Sequence, residues 1–205
     1  MIRVTGVLRV AVALTVLPAA WASPDLNSAS LDRMLKQGRY LAARSLLQAA
    51  TANAAGDREL AFYRARVALK LDNPDGAREA LAPYRERGEL SARMHRLLAV
   101  AAGLKAADAS VFGALGQVKK LKRHFKRAIE MDPRDAAARL GLLRFYLQAP
   151  GLVGGSEDKA REQALALAER DPALGRLARA IIAAETQRPN DAIDLARSAL
   201  EVDPQ

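Results

Sequence analysis

Apolar residues recur at intervals of three and four along most of this chain, and polar breaks bearing proline or glycine interrupt them at regular distances. Leu31 and Leu35 are followed by Gly38-Arg39-Tyr40, and then by Leu41, Ala42, Leu46, Leu47 and Ala50. That spacing gives each of two short helices one apolar face. Residues 51–57 carry Asn, Gly and Asp and predict a connection. Leu60, Tyr63, Val67 and Leu71 form the next helical face, which stops at Asp72-Asn73-Pro74. A longer helix is expected over 91–109, with a bend at Gly113–Gly116. No long alternating run of the kind a half-buried strand requires is seen, so every predicted element is a helix.

The breaks repeat. Pro74-Asp75-Gly76-Ala77, Ser156-Glu157-Asp158-Lys159-Ala160 and Pro189-Asn190-Asp191-Ala192 are in phase: a polar turn, acidic residues, then a helix with alanine at a fixed place. Acidic residues suit a helix start, where backbone N–H groups are unpaired and the dipole is positive. Twelve residues after Leu121, Ala160 and Ala192 come Pro133, Pro172 and Pro204, each preceded by Asp. Proline has no N–H and crowds the preceding turn, so each is expected to stop a helix. The equivalent positions Ala43, Ala77, Leu121, Ala160 and Ala192 are separated by 34, 44, 39 and 32 residues.

With a period near 34 and a helix–turn–helix unit, the chain resembles the tetratricopeptide-repeat family. The resemblance rests on Gly38-x-Tyr40-x-x-Ala43, on Phe125, Ala128 and Asp132-Pro133, on Ala160, Ala164 and Pro172, and on Ala192, Ala196, Ala199 and Pro204. It covers nearly all of residues 31–205. It implies an all-α, right-handed solenoid of about five helix–turn–helix pairs, with small residues letting each second helix press against the first. It also implies that the first helices line a concave surface that takes a protein or peptide partner. Arg64, Arg93, Arg96 and Arg144, on predicted first helices, are the candidates for presenting charge there. The sequence departs from the family in lacking its bulky aromatic early in the first helix, in ending the second unit with Arg87-Gly88-Glu89, and in carrying extra residues at 148–155. Phe145-Tyr146, Ala149-Pro150, Gly154-Gly155 and Lys159-Ala160 are also weakly similar to the accessory proteins called TRAP transporter T-components. That likeness implies a transport subunit holding a small anionic ligand.

The N-terminus reads as an address. Arg3 and Arg9 precede the apolar run from Val10 to Leu17; Pro18 breaks it, and Ala20-Trp21-Ala22 places small residues where a signal peptidase needs them. The expected organisation is a signal peptide over 1–22, a lead-in over 23–30 and the repeat domain over 31–205, in the periplasm of a Gram-negative bacterium or secreted. No later segment is apolar for long enough to span a bilayer. The chain contains no cysteine, which excludes disulfides, thiolate metal sites and a lipid-modified N-terminal cysteine.

The formal charge of +9 falls to +7 without Arg3 and Arg9. Much of it sits in Lys119, Lys120, Lys122, Arg123, Lys126 and Arg127, threaded by Val118, Leu121, Phe125, Ala128 and Ile129 at helical spacing. This is an amphipathic helix with a cationic face. A solvated surface is the plain reading, and an anionic envelope lipid or polymer is the functional one. Export argues against nucleic acid, as does the lack of interleaved aromatics. Gly151-Leu-Val-Gly154-Gly155-Ser156 lacks the Lys-Ser and preceding strand of a phosphate loop, so Gly154 and Gly155 are expected to serve a turn. His95 and His124, the two histidines, are assigned to different repeats and have no metal-ligand spacing. No nucleophile elbow is present, and Glu79, Glu157, Asp158 and Glu162 read as surface ion-pair partners. The resulting expectation is a scaffold without catalytic activity, cofactor or metal.

Overall fold

The computed structural model describes residues 27–50 and 57–202. The leader with its cleavage site after Ala22, the connection over 51–56 and Pro204 lie outside these residues. Ten α-helices follow in order: α1 (Ser28–Lys36), α2 (Tyr40–Ala49), α3 (Arg58–Lys70), α4 (Pro74–Glu86), α5 (Ala92–Ala107), α6 (Val111–Met131), α7 (Ala136–Gln148), α8 (Glu157–Ala168), α9 (Pro172–Glu185) and α10 (Pro189–Val202). They pair as five antiparallel hairpins, α1–α2 to α9–α10, and successive hairpins stack as an all-α solenoid.

The helix starts follow from local chemistry. Asn27, Asp57, Asn73, Asp135, Ser156 and Asp171 each use a side-chain oxygen to accept a hydrogen bond from a backbone N–H two or three residues on. Such a cap contributes about 1 kcal/mol. Pro74, Pro172 and Pro189 are first residues of helices, where the missing N–H costs nothing. The expectation that Pro172 stops a helix is therefore corrected. α8 ends at Ala168, and Asp171-Pro172 opens α9. Pro133 does follow the end of α6, whose last residue is Met131.

The recurring small residues occupy the inter-helix contacts. Ala43, Ala77 and Ala160 are fully buried and Leu121 nearly so, whereas Ala192, on α10, is half-buried. A Cβ on Gly141 of α7 would fall 2.4 Å from the Phe125 ring of α6, so glycine is what admits that ring. Two apolar clusters result, one spanning α1–α5 and one α5–α9. α5 joins them: Met94, Leu97, Leu98 and Ala101 belong to the first, Ala99 and Ala102 to the second.

Three features differ from the sequence expectation. The first helix opens at Ser28 rather than Leu31, because Asn27 and Ser30 form a reciprocal capping box. Leu41 was expected on the inward face but is 60% exposed. It sits in the first turn of α2, and the inward places there go to Ala43 and Leu47. The bend expected at Gly113–Gly116 is absent: α6 runs unbroken through both glycines. The long α5 packs along α6, a contact that outweighs the weak helix preference of glycine.

Candidate functional site

The first helices are tied to one another by polar contacts at the repeat interval. Arg66 of α3 pairs with Asp32 of α1, and Arg93 of α5 pairs with Glu59 of α3. Each of these pairs is 34 residues apart in sequence. Arg96 of α5 donates from Nε to Asp135 Oδ2 at 2.9 Å, across 39 residues, and Gln148 of α7 donates to Glu185 of α9 at 3.1 Å, across 37. Arg93 also lies 4.3 Å over the Phe62 ring. Each link fixes one hairpin against the next.

This ladder changes the reading of the four candidate arginines. Arg93 and Arg96 are engaged by carboxylates, and Arg64 donates to the Leu47 carbonyl at 3.4 Å. Arg144 is exposed on α7. The structure does not bring the four together. Arg96 has the clearest structural duty, since the Asp135 side chain is only 9% exposed and also caps α7 at Ala138 N–H, 2.9 Å away. Arg96→Ala is expected to lower stability by about 1–3 kcal/mol by leaving a desolvated carboxylate unpaired. A urea titration of the two proteins checks this, and Asp135→Asn in the Arg96→Ala background should recover part of the loss.

Open grooves lie where two successive second helices flank a first helix. Between α2 and α4, floored by α3, a cavity of about 460 Å³ has Leu47, Val67 and Leu71 in its floor and Arg44, Arg64 and Glu79 at its rim. Between α8 and α10, floored by α9, Ile182, Ala183 and Leu195 line about 310 Å³, with Arg161 and Arg179 beside them. Between α4 and α6, floored by α5, the corresponding cavity of about 330 Å³ is rich in nitrogen: Arg78, Arg85, His95, Lys120, Arg123 and His124.

The basic run maps onto α6, but its members differ in what they do. Lys119, Lys120, Arg123 and Lys126 are exposed. Arg127 pairs with Glu130 at 3.1 Å. The Lys122 ammonium rests beside Gly154, 5.8 Å from the Phe145 ring centroid, so it belongs to the α7–α8 turn. That turn is built by Pro150 to Ser156. Gly154 has φ +97°, a conformation that disfavours any side chain, and a Cβ on Gly155 would fall 1.7 Å from the Ala149 carbonyl oxygen. Ser156 N–H donates to Tyr146 O at 2.8 Å, closing the loop onto α7. The glycines thus serve chain reversal, as the missing phosphate-loop context indicated.

The histidines are a correction. His95 on α5 and His124 on α6 belong to one hairpin, and their Nδ1 atoms are 2.9 Å apart, so one donates to the other. Burial, reinforced for His124 by the neighbouring His95, Arg123, Arg85 and Lys120, lowers the pKa of both rings, that of His124 to about 4. The sequence held no sign of this contact, because 29 residues separate the two and only the register of α5 against α6 brings them together. No helix among the described residues is long and apolar enough to cross a membrane.

Residues 34–101 match the family model for the tetratricopeptide repeat. The fold is similar to that of TTC0263, a thermophilic tetratricopeptide-repeat protein of Thermus thermophilus, at 26% identity and a TM-score of 0.72, over 86% of this chain and 90% of that one. MamA superposes with a TM-score of 0.56 at 17% identity, over 83% of this chain and 92% of its own. YrrB, described as a tetratricopeptide-repeat protein with an unusual peptide-binding site, gives a TM-score of 0.50 at 16% identity, over 85% and 84%. No curated protein matches the sequence.

Proposed function

We propose that this chain, which matches the tetratricopeptide-repeat model over residues 34–101 and shares the fold of tetratricopeptide-repeat proteins, is a non-catalytic scaffold that holds a protein or peptide partner outside the cytoplasm. The observation that carries this reading is the ion-pair ladder at the repeat interval, which sets the stacked hairpins in one shape before any partner arrives. A surface shaped in advance loses less freedom on binding than a mobile one. The ladder neutralises Arg93 and Arg96, so of the four candidate arginines Arg64, with Arg44 beside it at the α2–α4 groove, and Arg144 on α7 are left for a partner. With a net charge of +7 once Arg3 and Arg9 are removed, the exported chain favours a partner that is acidic where it docks. The fold relative YrrB is described as binding peptide, which agrees with this reading. Export is supported by Arg3 and Arg9 ahead of the apolar run and by Ala20-Trp21-Ala22.

Two measurements test the proposal. A fusion of residues 1–30 to alkaline phosphatase should be active in the periplasm, and the mature chain should begin at Ser23; an inactive fusion removes the export reading. Cross-linking in the envelope fraction should capture one polypeptide in stoichiometric amount. Loss of that product in Arg44→Glu/Arg64→Glu assigns it to the groove, whereas loss in Arg144→Glu assigns it to the first-helix face. Absence of any stoichiometric product ends the scaffold reading.

A further inference from the structure

We propose that the cavity between α4, α5 and α6 is a binding site for a compact phosphoryl group, carried on a soluble molecule or on a lipid headgroup. Its walls come from three helices: Arg78 and Arg85 from α4, His95 from α5, and Gln117, Lys120, Arg123 and His124 from α6. No aspartate or glutamate lines it. Arg78 is occupied by Asp75, which Lys105 also holds at 2.7 and 2.8 Å from the far side. Arg85, Lys120 and Arg123 have no carboxylate partner among the described residues. The grooves that include Asp191, Asp171, Glu79 and Glu130 each set a carboxylate beside their cations; here three cations share about 330 Å³ without one. Gathering like charges in one cavity is unfavourable unless an anion joins them.

The remaining lining explains why the ligand should be small and strongly charged. Leu90, Leu98 and Ala102 are at most 9% exposed and take water away from one side, which strengthens a charge-assisted hydrogen bond. Arginine presents paired N–H donors that match the oxygens of a phosphoryl group. The His95–His124 contact leaves room for one shared proton, because a second would set two Nδ1–H groups against each other at 2.9 Å. Burial and then His95 do most to lower the pKa of His124, and Arg123, Arg85 and Lys120 act in the same direction. Arg127 acts on His95 with the same sign, and Glu130 opposes it. This inference goes beyond the scaffold reading and does not depend on it.

Calorimetric titration of the mature chain with pyrophosphate at low ionic strength tests the site. One equivalent should bind, and Arg85→Gln/Arg123→Gln should weaken the affinity at least tenfold. Both residues are exposed, so the variant should melt with the wild type. Lys119→Gln/Lys126→Gln removes the same charge from α6 outside this cavity and should change the affinity less than about threefold, the size of a general charge effect. Equal losses in the two double variants, or no saturable binding to the wild type, would overturn the proposal. Phosphatidic-acid vesicles that displace pyrophosphate in proportion to their surface identify the headgroup as the source. Failure to displace assigns the site to a soluble phosphoryl compound.

Discussion

Gly175→Ala is expected to destabilise the protein by about 3 kcal/mol, while the same change at Gly116 stabilises it by about 0.5–1 kcal/mol. The two glycines lie in helices, α9 and α6, and neither has a positive φ. A Cβ on Gly175 would stand 2.4 Å from Ala168 Cβ and 2.5 Å from Ala168 Cα. Ala168 is the last residue of α8, so the obstacle includes backbone that no rotamer change can move. The end of α8 must then retreat from α9, opening contacts in the α5–α9 cluster that includes Leu167, Ala178 and Ile182. At Gly116 nothing lies within 4 Å of the added methyl, so only the gain in helix preference and the restricted unfolded chain remain. Urea midpoints of the two variants should move in opposite directions. If Gly175→Ala unfolds with the wild type, the close approach of α8 and α9 is wrong.

Acid is expected to destabilise the protein between pH 6.5 and about 4, and His124→Gln should flatten that dependence. The native state holds His124 with its pKa lowered from 6.5 to about 4, chiefly by burial and then by His95, Arg123, Arg85 and Lys120. The unfolded chain therefore binds a proton in this interval that the folded one refuses, and the unfolding free energy falls as pH falls. The contribution is complete above pH 6.5 and lost as pH drops to the folded pKa. Allowing for solvent screening of a half-exposed ring, its size is on the order of 2 kcal/mol. His95, also lowered, adds to it in the same direction. The shared Nδ1 contact links the rings, so glutamine at 124 should leave less slope than one independent histidine would predict. Thermal melts across this range in a buffer free of multivalent anions check the sign. A melting temperature that stays constant from pH 7 to pH 4.5 contradicts the buried, charge-crowded pair.

Most of the architecture could be read from spacing. Ala43, Ala77, Leu121, Ala160 and Ala192 mark the second helix of each of the five hairpins, and polar residues before the helices became caps. These are short-range effects. A cap reaches three residues, a helical face repeats every three or four, and proline limits its own neighbours. Where a longer-range contact competed, local reading failed. α6 continues through Gly113 and Gly116 because α5 lies along it, and Leu41 faces water because Ala43 and Leu47 fill the inward places of α2.

The candidate sites were less legible for the same reason. The sequence specified repeating hairpins with a basic sixth helix, since composition and period survive in one dimension. It did not specify which charges meet. Whether Arg93 finds Glu59 and whether Asp135 takes Arg96 depend on how far each hairpin turns relative to the next, and whether His95 touches His124 depends on the register of α5 against α6. That rotation is set by side-chain packing between hairpins. It neutralised Arg66, Arg93 and Arg96 on the first helices and gathered Arg85, Lys120 and Arg123 around α5.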